Sequence, residues 1–205
     1  MTHAKRLVIP LALGLSLAGC AGTSPPSRFY VLEPTLGQVE PITRMPKLSI
    51  GLGPLTLPDL LDRPQILTRS GPYQLDLAEF ERWGGDLGAN LGRLAAQRIG
   101  ARLGTERVSL HPWPRQRQLD LQVRVDLTRF DGRPGTEACL QGTFALLDGP
   151  GDRELRLEGF DLRQTVSGAQ YADLAAALSA LAERLADRIA EVMAEEIARR
   201  TGAEK

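Results

Sequence analysis

Neither sign of charge dominates this chain of 205 residues. Lys and Arg number 25, Asp and Glu number 25, and the formal net charge is zero. A nucleic-acid binder needs a basic surplus to neutralise phosphates, so that class is excluded. Histidine is nearly missing. His3 and His111 are the only two, which excludes most His-based metal sites. Cys20 and Cys139 are the only cysteines, too few for a disulfide framework. No collagen-like or low-complexity bias is present. Beyond the amino-terminal stretch, no apolar run approaches transmembrane length. What remains is ordinary for a folded domain: 42% apolar and 24% charged residues, a balance that excludes wholesale disorder. The 21 glycines and 14 prolines predict many turns. The length suits one domain, or at most two small ones.

The first segment reads as an address. His3, Lys5 and Arg6 form a charged start, and Leu7 to Leu17 form an apolar stretch. That stretch is too short for a helix to cross a hydrocarbon core of ~30 Å. Leu17-Ala18-Gly19-Cys20 follows and resembles the bacterial lipobox. The resemblance implies a diacylglyceryl group on the Cys20 sulfur, cleavage before Cys20, and acylation of the new amino terminus. Two or three acyl chains anchor stably, because each buried methylene contributes ~0.8 kcal/mol. The alternative is a soluble secreted protein with a chance Cys. Residues 1–19 are therefore expected to be a signal peptide. Residues 20–27, with Pro25 and Pro26, are a tether. Residues 28–205 are one α+β periplasmic domain. By resemblance to enterobacterial lipoproteins, Ala21 in place of Asp directs the protein outward, to the inner leaflet of the outer membrane.

Within the domain, Phe29 to Leu32 has high β propensity and reads as a short edge strand. Leu48, Ile50 and Leu52 alternate and then stop at Gly53-Pro54. Pro64 to Thr68 and Tyr73 to Leu77 are shorter strand candidates around Ser70-Gly71-Pro72. Gln118 to Leu127 alternates without a break, which puts one face on a core and one in water and favours antiparallel pairing. Asp131-Gly132 reads as a turn, Ala138 to Leu147 as the next strand, and Asp148 to Asp152 as a turn. Glu154 to Val166 changes phase, and Gly159 at the switch predicts a β-bulge. Leu87, Leu91, Leu94, Ile99 and Leu103 recur at helical spacing, with Asp86 as N-cap and Gly104 as stop. A second stripe runs from Leu174 to Ile197 in a helix from about Tyr171 to Arg200, longer than the sheet it covers. Its far end is a possible contact for a partner. Small residues at 84, 88, 92, 96, 100 and 104 call for a close packing partner, either the sheet, the second helix or another protein. The expected architecture is a two-layer sandwich: a mainly antiparallel sheet with two helices on one face.

Catalytic chemistry finds no footing. His111 lies beside Pro112-Trp113 with no Ser or Cys elbow anywhere, so a nucleophile–His–acid arrangement is not expected. Cys139 has no resolving partner and reads as a small half-buried side chain on the face of Gln141 and Thr143. The carboxylate pairs Asp59 with Asp62, Asp148 with Asp152, and Glu195 with Glu196 fit solvated turns and helix faces. Gly51-Leu52-Gly53 lacks the third Gly and the following helix that cradle a phosphate. No enzyme activity, cofactor or metal is expected.

The segment from Leu57 to Arg69, Leu-Pro-Asp-Leu-Leu-Asp-Arg-Pro-Gln-Ile-Leu-Thr-Arg, resembles the signature of the ABC-type transport auxiliary lipoproteins, the PqiC-like family associated with MCE-domain lipid transport. Arg28 to Leu32, Ser49 to Pro54, Glu81-Arg82-Trp83, Asn90-Leu91, Pro112-Trp113 and Phe130-Asp131-Gly132 stand in order around it. Gly84-Gly85-Asp86-Leu87 departs from the family's Ala-Glu-Pro-Leu-like helix start. The resemblance implies two helices on a sheet and a non-enzymatic lipoprotein that meets a periplasmic MCE-domain partner. Asp59, Asp62, Arg63 and Arg69 are the candidate interface, because Pro58 and Pro64 stiffen the loop and lower the ordering cost of binding. The plainer reading of those charges is an internal Asp62–Arg63–Arg69 network that only shapes the loop. A lipid carrier with its own apolar cavity is the alternative function, with Gly142 and Gly159 as small inward residues that could leave room for one.

Overall fold

A computed structural model describes residues 24–34 and 39–203, and no helix among them is long and apolar enough to cross a membrane. The strands are β1 (Arg28–Tyr30), β2 (Ile50–Thr56), β3 (Gln65–Arg69), β4 (Leu75–Trp83), β5 (Val108–Leu110), β6 (Leu121–Arg133), β7 (Glu137–Asp148) and β8 (Glu154–Thr165). The helices are α1 (Leu87–Leu103) and α2 (Tyr171–Ala203). This is the expected α+β fold, built on one mixed sheet. The long ladders β6–β7 and β7–β8, and the shorter β3–β4, are antiparallel. The pairings β1–β4, β2–β5, β2–β6 and β3–β6 are parallel. β7 runs along the whole of β6, so β2 and β3 share its other edge. β2 takes Leu121 to Asp126, and β3 meets Gly132.

Local chemistry explains several boundaries. Asp86 caps α1 by accepting the Ala89 N–H at 2.6 Å, and Gly104 ends it in the left-handed region at φ 61°. Asp173 accepts the Gln170 N–H at 3.0 Å, half of a capping box that starts α2. Pro25 and Pro26 lack the N–H groups a ladder needs, and β1 begins only at Arg28. Leu121, Val123, Val125 and Leu127 all point into the core, as the alternation in β6 requires. A register shift between Leu127 and Arg129 then moves the buried phase to Phe130.

Other boundaries differ from expectation. β2 does not stop at Gly53-Pro54. It continues to Thr56 through a register shift between Leu52 and Leu55. Gly53 sits at φ 121°, and a Cβ there would meet the His111 Cβ at 2.6 Å, so only glycine fits. β4 runs on to Trp83, six residues past the expected end, because β3 pairs it on one side and β1 on the other. Asp131-Gly132 is strand, paired with Cys139 and Ala138 of β7. The turn comes later, where the Thr136 N–H donates to the Arg133 carbonyl at 3.0 Å and Gly135 takes φ 70°. Gly159 pairs regularly with Thr143, so the bulge is not there. The shift lies where Leu146 and Leu147 face Arg156 and Glu154, which makes Leu155 the extra residue and leaves Leu157 outward and 59% exposed.

The helix face of the sheet carries the core. Phe144, Leu146, Leu174, Leu178 and Leu181 are fully buried, and each such side chain contributes about 1.5–3 kcal/mol. Some of the small residues of α1 lie close to β5 or to the loop after the helix. A Cβ on Gly92 would lie 3.5 Å from Leu110 of β5, and one on Gly100 would lie 2.8 Å from the Thr105 carbonyl. The two helices are joined by charge. Arg98 grips Asp187 through Nε and Nη2 at 2.7 and 2.8 Å, and Glu183 through Nη1 at 2.9 Å. α2 packs against the core as far as Ile197, so only its last few residues project. There the Arg199 and Arg200 guanidiniums bond the buried Glu196 carboxylate and lower its pKa to about 2.

The amino-terminal strand is held by one buried carboxylate. Tyr30 Oη donates to Glu81 Oε2 at 2.5 Å, and Arg28 Nη2 lies 2.8 Å from Glu81 Oε1. Burial, and then this bond, push the Tyr30 hydroxyl up from its ordinary pKa. A hydrogen bond to a charged group contributes about 1.5–3 kcal/mol. Glu81→Leu is therefore expected to speed amide exchange in Phe29 to Val31 about tenfold or more, with α1 and α2 unchanged. Unchanged protection of β1 would show that its backbone pairing alone holds it.

Candidate docking site

The loop between β2 and β3 carries three of the four candidate interface residues. The Leu61 N–H donates to the Pro58 carbonyl at 2.7 Å, and the Arg63 N–H to the Leu61 carbonyl at 2.9 Å. Leu61 is buried and pins the loop from below, and the Pro64 carbonyl accepts the Trp83 N–H at 2.7 Å. The backbone is thus fixed by its own turn, by one apolar plug and by β4. On this frame Asp59 and Asp62 are exposed, and Leu60 beside them is 43% exposed. Arg63 is half-buried, and its Nε is shielded from water without a hydrogen-bond partner.

Arg69 does not join them. It sits at the other end of β3 and bonds Asp131 through Nε at 3.4 Å and Nη2 at 2.9 Å. Among the described residues, no ion pair links Asp62 to Arg63 or Arg69, so the internal network anticipated for these charges is not formed. Cys20 and its neighbours lie outside the described residues.

The structure brings together a second polar cluster that sequence reasoning did not assemble. Gly132 faces Leu174 of α2, so the residues flanking it in β6 point to the opposite face. Arg129, Asp131 and Arg133 lie there, beside Gln141, Cys139 and Glu137 of β7. Asp131 is buried and accepts bonds from both Arg69 and Arg129. The signal was present as an Arg-x-Asp-x-Arg alternation, but Asp131-Gly132 also reads as a turn. Cys139 shares this face and is fully buried rather than half-buried, its Sγ 3.9 Å from Asp161 Oδ1. The extra burial comes from β6 and β8 on either side. It raises the thiol pKa and keeps the sulfur unreactive. His111 is exposed and stacks edge-on against Trp113 at 5.3 Å.

The space beside Gly142 does not hold a lipid chain. A Cβ on Gly142 would lie 2.2 Å from the Asp126 carbonyl and 2.9 Å from Phe160, so backbone and an aromatic ring fill that space. Gly159 is exposed rather than inward. Among the described residues, several clefts open at the surface. One of about 560 Å³ runs along the small face of α1, between Ala96 and Val108, and is lined by no large apolar side chain.

A family model described as ABC-type transport auxiliary lipoprotein component matches residues 30–190. The chain belongs to this family. The match covers the loop, both sheet faces and α1, and it ends within α2. As a member of the ABC-type transport auxiliary lipoproteins, the protein is a lipoprotein component that assists an ABC-type transport system. Two solved structures share its fold. An uncharacterized protein superimposes with a TM-score of 0.68 at 15% identity, over 82% of this chain and 99% of its own. A Xanthomonas campestris protein of family DUF330 superimposes with a TM-score of 0.67 at 16% identity, over 87% of this chain and 100% of its own. A comparison with curated proteins yields no match.

Proposed function

We propose that this auxiliary lipoprotein is anchored through Cys20 in the inner leaflet of the outer membrane and docks the periplasmic MCE-domain conduit of a lipid-transporting ABC-type system. The observation that carries the reading is the fixed loop from Pro58 to Pro64. It holds two exposed carboxylates and a half-buried guanidinium whose Nε lacks a partner. A loop already ordered in the free protein loses little conformational freedom on binding. The short stretch from Ala21 to Ser27 supports the same reading. Seven residues at ~3.5 Å each reach at most ~25 Å, which keeps the domain near its bilayer and raises its local concentration there. The packed interior speaks against a carrier that encloses lipid, because the space beside Gly142 is occupied.

Asp62→Ala combined with Arg63→Ala is expected to weaken capture of the MCE-domain partner about tenfold or more while leaving the melting temperature unchanged. Pull-down and thermal melting of the same variant measure both quantities. A large fall in melting temperature would make the pair structural. Unchanged capture would place the interface elsewhere.

A further inference from the structure

The face turned away from α2 holds a cleft of about 240 Å³ between the β3–β4 turn and the end of β6. Arg69, Arg129, Arg133, Ser70, Pro72 and Thr136 are among its lining residues. Three arginines line the cleft against one acidic lining residue, Glu137, which Arg163 engages from outside at 3.1 Å, while Asp131 beneath pairs with Arg69 and Arg129. A surplus of positive charge therefore remains in the cleft.

The three arginines are not equivalent. Asp131, 4% exposed in its side chain, fixes two of them from below, with Arg69 Nη2 and Arg129 Nη2 each at 2.9 Å. Arg69 is held a second time by Nη1 on the Pro72 carbonyl at 3.2 Å. Each guanidinium carries five N–H donors, so both keep unused ones. Arg133 is exposed, and among the described residues its guanidinium has no hydrogen bond or ion pair. Two cations are thus pre-positioned on a buried carboxylate, and a third stands beside them with all its donors unused. The Ser70 and Thr136 hydroxyls offer further donors. Several forked guanidiniums in one concavity suit an anion with several oxygens, and a phosphate fits that description better than a single carboxylate.

We propose that this cleft binds a phosphate group through Arg133 and the unused donors of Arg69 and Arg129. The cleft is too small and too polar for acyl chains, so it would take a phosphate monoester or diester, either free or as the head of a lipid. It lies at the far end of β3 from the Asp59 to Arg63 loop and does not depend on docking.

The test is titration calorimetry on the full-length lipidated protein in an uncharged detergent. The probes are inorganic phosphate, glycerophosphoglycerol and zwitterionic glycerophosphocholine. Saturable binding of at least one of the first two is expected, weakened by added salt. Arg133→Ala should reduce that affinity at least about tenfold with the melting temperature unchanged. Arg115→Ala, on an exposed loop outside the cleft, should leave the affinity as it was. Tighter binding of glycerophosphoglycerol than of inorganic phosphate would identify a lipid head, and the reverse a free phosphate. Absence of saturable binding at millimolar concentration, or equal affinity in Arg133→Ala, would overturn the proposal.

Discussion

Cys20→Ser is expected to abolish fatty-acid labelling altogether. In the proposed anchor the Cys20 sulfur carries a thioether that a serine oxygen cannot form, and without it the precursor would not be cleaved before residue 20. The wild-type protein should carry label and fractionate with the outer membrane, since Ala21 rather than Asp follows the modified position. The variant should carry none and keep its signal peptide, which adds a readable increment of mass. The effect is expected to be all-or-none, because in this proposal the acyl chains on residue 20 supply the whole of the stable anchorage. Continued labelling of Cys20→Ser would place the acyl chains on another residue and remove Cys20 as the anchor. Wild-type protein found only in the inner membrane would leave the anchor intact and remove the outer-membrane proposal.

The largest expected loss of stability comes from Arg98→Ala. Arg98 is the shared partner of Glu183 and Asp187, and Glu183 is only 8% exposed in its side chain. Removing the cation takes the Arg98 partner away from the buried Glu183 carboxylate and leaves Asp187 to Arg102 at 3.4 Å, which costs about 3 kcal/mol. For a domain of this size that corresponds to roughly 10 °C in melting temperature. Arg98→Met with Glu183→Leu and Asp187→Leu should recover part of the loss, because the apolar replacement removes the buried carboxylate together with its cation, although Arg102 then loses Asp187. Differential scanning calorimetry on the single and triple variants measures both values. A loss below about 1 kcal/mol in Arg98→Ala would mean that water screens the pair as it does a surface ion pair.

The features legible in the sequence were those fixed by near neighbours. Asp86 and Gly104 bound α1 because capping needs only residues within one turn. The alternation of Leu121, Val123, Val125 and Leu127 is a property of β6 itself. The unread features depend on distant partners. Asp131-Gly132 has turn chemistry, yet twelve paired residues of β7 keep it extended. Glu79, Glu81 and Arg82 have weak strand propensity, and their strand exists because β3 and β1 flank it. The phase change in β8 was visible, but Leu155 rather than Gly159 absorbs it, because the shift falls opposite Leu146 and Leu147.

The candidate site divides the same way. The loop from Pro58 to Pro64 could be located from its prolines and charges. The assignment of Arg69 to Asp131, across 62 positions, could not, and it separates Arg69 from the loop it was grouped with. The arginine cleft was unreadable for the same reason, since β3 and β6 supply its two sides. Family membership was legible because the segment from Leu57 to Arg69 is contiguous.

Whether this lipoprotein docks a periplasmic conduit is tested most directly by a photo-crosslinking amino acid placed at Asp62 of the lipidated protein in living cells. Irradiation is predicted to yield one adduct with an MCE-domain protein of an ABC-type system. The same probe at Asp152, in the exposed turn between β7 and β8, should give no such adduct. No MCE-domain adduct at Asp62, or the same adduct in equal yield at Asp152, would contradict the account.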